Sequence, residues 1–565
     1  MTQIAKRVLP ASLALICGAL VVLPAIILGV PNNNDLANHY HFAIPFYEAL
    51  RHGDLYPGIF AAPNFGYGDV VVRFYPPALY YLMAAGRFVT GSWYAGSLLA
   101  ITFVSALGSL GAYFWARCYV PRNLAIAGAL FYALMPYHLA EFYQAAQLAE
   151  FTAGAALLFA LAFTKRVCDH GRWRDAAGLG VAYAALILSH LPLAVFGSIT
   201  LLLYALMNLP RLRISSCLVK LTIAVLTGLG ASAFYWVTMV AEMKWIVADG
   251  VNPDPLLDYS HNFVFSSFSP SQHETIWWMG LLAIATILMC IPAVVTVMKK
   301  LRVERQRSLF SICALLIFSV LMSTVISKPL WQMIPYLRMA QHPFRWLAVT
   351  SAIAPVLMSS AVPFWRERLR DRYRPVALAM CGVVLIAITF SLTQTVRGAI
   401  YLSKSRFDQI VAPLREAPGI VQWLPIWAGA SAGNKPSYEK CTPPLSASAK
   451  IETSGRANRV IEWGDTKRSF LVDAGAPVEA RVATFYYPHW IATANGNALP
   501  THPAPDGALL IDVPADAMTV NLEFREPSRT KIADIASIFS WTLIASVLIL
   551  GTFASARRDH EPIAN

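Results

Sequence analysis

Long apolar runs separated by short basic stretches fill most of the chain, and short alternating segments replace them only between about positions 393 and 531. The apolar runs lie at roughly 8–30, 95–116, 124–136, 149–164, 177–192, 194–209, 221–240, 276–298, 308–326, 347–365, 375–392 and 532–555. A spanning helix needs about 20 mostly apolar residues, so the pattern predicts about twelve transmembrane helices. The third run is short and needs its flanks. A further run, 76–90, opens on Pro76-Pro77, contains Arg87 and falls short of a span. It is expected to lie along the membrane interface. In the later region RVIEW, SFLVDA, EARVATFYY, ALLIDV and TVNLEF alternate with period two between Gly, Asn and Pro breaks. That is the signature of antiparallel strands.

The expected architecture is an all-α polytopic membrane protein with a small extracytoplasmic β domain before its last helix. Residues 1–392 form the transmembrane module, with outer loops at 31–94, 137–148, 241–275 and 327–346. A looser polar stretch and the β domain take 393–531, and 532–565 form the last helix and a cytoplasmic tail.

Composition agrees with a membrane protein: 56% of the 565 residues are hydrophobic and 14% are charged. Soluble domains carry more charge and less apolar residue. The formal charge of +13 could suit nucleic acid, but the basic residues fall in short clusters at alternate ends of the runs. Cytoplasmic loops show this bias, so nucleic acid is excluded and both termini are placed inside. The first run is long for a signal-peptide core and no A-x-A-like site closes it, so it reads as an uncleaved anchor. The eight cysteines show no CxxC and no metal-ligand spacing, hence no disulfide framework.

Candidate chemistry gathers in the outer loops. Asp35 follows the first span, with His39, His41, Glu48, Asp54, Asp69, Arg73 and Tyr75 after it. A lone Asp there also reads as a helix cap; in this company it is a candidate general base for an acceptor hydroxyl. His39 and His41 stand two apart, which suits one face of a strand but not of a helix. They read as interfacial hydrogen bonders or, with Asp35, as metal ligands. Glu150 opens the fourth span, where it either complements the helix dipole or serves a site as a boundary acid. Glu141 stands in the same loop, and His190, just before Leu191-Pro192, reads as a packing residue at a kink. The loop 327–346 brings Lys328, Arg338, His342 and Arg345 to the outer side, against the usual bias. Lys328, Arg338, Arg345 and Arg73 suit a phosphate-bearing lipid, Arg345 being able to grip it bidentately. Anchoring beside Trp331 and Trp346 is the alternative. His39, His41, His342 and Tyr75 are the candidates for acceptor or metal contacts.

The first span with Asp35 beyond it, the FYPPALYYL segment, the second loop ending in Glu150 and the HPFRW loop together resemble the GT-C superfamily. These are membrane glycosyltransferases that use polyprenyl-phosphate-linked sugars. More narrowly, the chain resembles bacterial membrane proteins labelled 6-pyruvoyl-tetrahydropterin synthase-related and their relatives in lipoteichoic-acid glycosylation. A C-terminal pattern like FYYPHWIATANGNALP recurs in them, and the resemblance covers nearly the whole chain. It implies a lipid-linked sugar donor at the outer leaflet of the bacterial inner membrane and an envelope glycan, lipid or protein as acceptor. An acid of the first outer loop acts as catalytic base, which falls on Asp35, and the second-loop acid falls on Glu150. The chain lacks the paired acidic motif of metal-using members, so no metal ligand is assigned and a divalent metal stays open. The pterin label does not extend to chemistry, because a soluble pterin synthase needs a compact zinc-histidine core.

The expected activity is thus an inverting hexosyl transfer. Two other classes stay open. A transporter or flippase of lipid-linked saccharide would favour paired broken spans and a repeat, and no repeat is seen. A non-catalytic envelope assembly protein would use the β domain as its contact surface.

Overall fold

The computed structural model describes residues 3–32, 35–247, 258–265, 274–300, 307–429 and 449–558. Its helices follow the apolar runs. Among the described residues eight are long and apolar enough to cross a membrane: Trp93–Ala116, Leu148–His170, Leu191–Asn208, Ile214–Ala231, Met279–Lys299, Pro343–Arg368, Arg374–Arg397 and Ser528–Gly551. Arg122–Ala133 and Pro136–Tyr143 make a ninth if counted as one span bent by 47°. Twelve is therefore not reached on length and composition. The helices Val8–Val21 and Leu309–Ser323 are apolar but short, and the run at 177–192 is a 17-residue helix, Trp173–Ser189, with Asp175 in its first turn.

The bend falls at Pro136, which lacks an N–H and disfavours helix in the residue before it. The stretch expected as a second outer loop is consequently half helix, and Pro136–Tyr143 is buried at every position. The run 76–90 becomes the 13-residue helix Ala78–Thr90, which ends at Gly91 with φ 68°. Ser92 then caps Trp93–Ala116 by accepting from the Ala95 N–H. The two helices fold back on each other with backbones touching, since a Cβ on Gly86 would lie 2.2 Å from the Gly96 carbonyl oxygen. Trp346–Arg368 is apolar on nearly all sides and runs through the middle of the helical core, the environment such a helix requires.

Strands β1 (Val30–Pro31) and β2 (Tyr401–Leu402) pair antiparallel and tie the chain leaving the first helix to the chain that follows Arg374–Leu392. The β domain begins at β3 (Ile451–Thr453) and continues through β4 (Asn458–Trp463), β5 (Lys467–Val472), β6 (Val478–Phe485), β7 (Trp490–Ala494), β8 (Asn497–Leu499), β9 (Thr501–Pro503), β10 (Ala508–Val513) and β11 (Met518–Phe524). All five alternating segments are strands. They form two antiparallel sheets, ordered β3-β6-β10-β9 and β4-β5-β11-β7-β8. Val482, Leu509 and Ile511 from one sheet and Phe470, Val520 and Leu522 from the other close a single apolar core. The described part of the polar stretch before β3 divides: Trp423 and Trp427 pack against this core, while its earlier residues turn to the helices. Its helix Lys404–Val411 packs on Leu36–Arg51, with the Phe407 and Tyr40 rings 5.0 Å apart.

A buried ion network fastens the β domain to the helices. Glu242, at the end of the helix Ala233–Glu242, accepts hydrogen bonds from Arg73, Tyr487, His489 and Arg529. Arg73 bonds Glu526 as well. Four distant parts of the chain thus meet on one carboxylate, next to the loop that carries Asp35.

Candidate active site

The chain is pinned shortly before Asp35. The β1–β2 pair and the Asn32 N–H donating to Ile400 O at 2.7 Å hold the chain just before it. Gly29, with φ 124°, lets β2 approach, for a Cβ there would lie 2.1 Å from Leu402 O. Asp35 then sits at the N-cap of Leu36–Arg51, yet its side chain caps nothing. Among the described residues this carboxylate makes no hydrogen bond.

Because this segment is a helix, His39 and His41 point apart. His39 Nε2 donates to Ala146 O at 2.9 Å, and Nδ1 faces the Tyr80 hydroxyl at 3.3 Å. His41 turns instead to Leu414 O and to Asp69, whose Oδ2 lies 3.4 Å from Nε2. Asp35, His39 and His41 therefore do not converge as a ligand set. Among the described residues the three metal-capable side chains near enough to share an ion are Glu479, His502 and Asp512 on β6, β9 and β10, which are exposed or half-exposed.

Three further elements bring groups to Asp35. Tyr75 packs edge-on to His39 with centroids 6.4 Å apart. Burial pushes its phenol up, and the Asp35 charge adds to that, while Arg345 opposes it. Glu150 stands in the first turn of Leu148–His170, accepts from the Tyr137 hydroxyl at 3.0 Å, and has Oε2 3.0 Å from Arg345 Nε. Arg345 ends the short turn Pro343–Arg345, which Phe344 N–H anchors to Asn262 O. His342 enters from the same turn with its Nδ1 unbonded. Burial, then the Arg345 charge, holds this imidazole well below its ordinary value. His39 is likewise lowered by burial, although Asp35 and the Ala146 carbonyl pull the other way. Both rings are neutral hydrogen-bonding groups at ordinary pH.

Of the expected residues, Asp35, His39, Tyr75, Glu150, His342 and Arg345 come together, and four do not join them. All three guanidinium nitrogens of Arg73 are engaged by Glu242, Glu526 and Gly58 O, which leaves nothing for a phosphate. Arg338 is exposed and closes the Lys328–Met333 helix by donating to Trp331 O at 3.2 Å. Lys328 is half-buried without a charged partner among the described residues, and His41 is occupied as above. Sequence reasoning missed His190. Its Nδ1 accepts from Leu193 N–H, so the proton is on Nε2, which faces Glu150 Oε2 at 4.0 Å. It also missed Tyr137 and the buried His138, which lies 3.4 Å from Glu141, an acid the sequence had already singled out. The Pro136 break was the available signal, since non-helical backbone at membrane depth is tolerated where it lines a cavity or is buried in protein.

No curated protein matches the sequence. Among solved structures, the apo oligosaccharyltransferase of Archaeoglobus fulgidus is similar at 14% identity and TM-score 0.42, over 77% of this chain and 61% of that one. The A. fulgidus oligosaccharyltransferase AglB in complex with an inhibitory peptide and a dolichol-phosphate gives 12% and 0.36, over 78% and 62%. ArnT from Cupriavidus metallidurans bound to undecaprenyl phosphate gives 16% and 0.30, over 70% and 78%. The chain spans less than two thirds of the archaeal enzymes, and at these scores nothing about activity follows from the likeness. A family model described as the 6-pyruvoyl-tetrahydropterin synthase related domain, a membrane protein, matches residues 72–397. That span takes in Tyr75, Glu150, His190, His342 and Arg345, and the chain belongs to this family of membrane proteins.

Proposed function

We propose that the chain is a membrane glycosyltransferase that moves a sugar from a polyprenyl-phosphate donor to an envelope acceptor on the outer face of a bacterial inner membrane. The reading rests on one observation above all: the unbonded carboxylate of Asp35 set near a partly exposed guanidinium, Arg345, whose side-chain donors make no aligned hydrogen bond among the described residues. A base and an anion-binding cation in one place are what this transfer requires. The acceptor oxygen attacks the anomeric carbon while Asp35 takes its proton. The bond from that carbon to the phosphate oxygen breaks, and the electron pair leaves on the lipid phosphate. Arg345 stabilises the departing charge, a large term in a site shielded from water. Attack opposite the phosphate inverts the anomeric centre. Glu150 holds Arg345 in place until the donor arrives, Tyr75 and His342 contact the acceptor, and Arg73 has no part in binding the donor. The basic clusters at the expected inner ends of the helices support the orientation.

Transfer by the purified protein in vesicles, from a panel of polyprenyl-phosphate sugars to envelope acceptors, tests the reading. Asp35→Asn should lower the rate by roughly 10²–10⁴-fold, the usual contribution of a positioned base, with the protein still folded. A fully active Asp35→Asn protein would sink the assignment.

A further inference from the structure

The cation assigned to the donor phosphate already has a carboxylate against it. Glu150 Oε2 lies 3.0 Å from Arg345 Nε, but neither atom makes an aligned hydrogen bond. Glu150 is 1% exposed, whereas the Arg345 side chain is 15% exposed. The pair is a close ion contact with an open cationic end, and not a saturated bidentate bridge like that of Arg73 with Glu242.

Several groups face Glu150 from the elements around it. Tyr137, on Pro136–Tyr143, donates to Oε1, and His190 Nε2, at the start of Leu191–Asn208, lies 4.0 Å from Oε2. Asp35, before Leu36–Arg51, is within electrostatic reach. So is Glu141, which has His138 beside it. His342 stands with Arg345 on the turn that opens Trp346–Arg368. Three carboxyl groups thus share the neighbourhood of the one guanidinium. A ligand phosphate on Arg345 adds a further negative charge and takes away the partner of the most buried of the three.

A carboxylate buried without its cation is costly and neutralises by taking a proton. We infer that a phosphodiester displaces Glu150 from Arg345 and that Glu150 takes up a proton from solvent as it lets go, so that donor binding is proton-coupled. At alkaline pH the pair before binding is guanidinium and carboxylate; afterwards it is guanidinium and phosphate, with Glu150 as the neutral acid. The local net charge is unchanged. Tyr137 and the Nε2–H of His190 are donors, and the acid keeps an oxygen that can accept from them. The inference rests on the donor site proposed above. Its sign follows from linkage: a ligand that binds with a proton binds more weakly as pH rises, by about tenfold per pH unit where the coupling is complete.

The test uses the full chain in nanodiscs of zwitterionic lipid and dihexadecyl phosphate, a phosphodiester whose single charge does not change across the neutral range. Titration calorimetry in buffers of different ionisation enthalpy counts the protons exchanged. At alkaline pH wild type and Asp35→Asn should each take up about one proton per phosphate bound. Glu150→Gln, which can still accept from Tyr137, should take up none and bind more tightly than wild type at alkaline pH. Binding by wild type at alkaline pH without proton uptake, or unchanged uptake in Glu150→Gln, overturns the coupling and leaves the donor site standing. No binding by wild type at any pH overturns both. Should Glu150→Gln fail to fold, the wild-type proton count decides alone.

Discussion

Glu242→Gln keeps the shape of a side chain that is 0% exposed and removes its charge. In the native protein Oε1 accepts from Arg73 Nη2 at 2.9 Å, His489 Nε2 at 2.8 Å and Arg529 Nη2 at 2.6 Å. Oε2 accepts from Arg73 Nε at 2.5 Å and the Tyr487 hydroxyl at 2.8 Å. Whichever end becomes the amide nitrogen, at least two buried donors lose their acceptor. Removing one partner of a buried ion pair costs about 3–5 kcal/mol. The lower end applies here, because Glu526 still holds Arg73 through two hydrogen bonds. The expected loss is therefore about 3 kcal/mol, with part recovered when Arg73→Met removes the orphaned guanidinium in the same protein. Equilibrium unfolding in detergent, followed by tryptophan fluorescence, measures it; Trp245 reports locally, its ring lying 5.5 Å from that of His489. A single variant within about 1 kcal/mol of wild type, as for a surface pair, would refute the reasoning. Burial alone would raise the Glu242 carboxyl, but hydrogen bonds from His489 and Arg73 hold it well below the usual range. A lowered folded value means its contribution is complete above the unfolded value of 4.5 and is lost progressively as pH falls from there towards the folded one. The network should withstand mild acid.

Two further outcomes are expected. Gly86→Ala puts a methyl group 2.2 Å from Gly96 O, so Ala78–Thr90 must shift away from Trp93–Ala116 at a cost of about 1–3 kcal/mol; an unchanged unfolding midpoint would show that the helices are not in backbone contact. His39→Ala removes the Nε2–H bond to Ala146 O, leaving a buried carbonyl unsatisfied at about 1–3 kcal/mol. Since burial lowers His39, its contribution is complete above 6.5 and is lost as pH falls from there towards the folded value. Wild type should therefore lose stability in that window and His39→Ala should lose less, which a pH series of melting curves checks.

Much of the architecture was legible before folding. Apolar runs and period-two segments are local patterns, and each reports which side of a short segment meets water or lipid. The strands from RVIEW to TVNLEF fell where they were expected for this reason, and so did the shortness of the 76–90 helix. Span lengths were less legible, because the Pro136 break and the short helix Trp173–Ser189 take their tolerance from packed neighbours. The site divided in the same way. Asp35, Glu150 and Arg345 stood out by residue type and position, but Arg345 and Arg73 could not be told apart along the chain. Tertiary structure gave one a carboxylate pair and the other an open end. Glu242 and Arg73 are 169 residues apart, and ion-pair partners at such separations are chosen by where helices and sheets dock, which local patterns do not encode. The same holds for His39 and His41. Their spacing was plain in the sequence, but only the helix, stabilised by its packing against Lys404–Val411, turned one ring towards Ala146 and Tyr80 and the other towards Asp69.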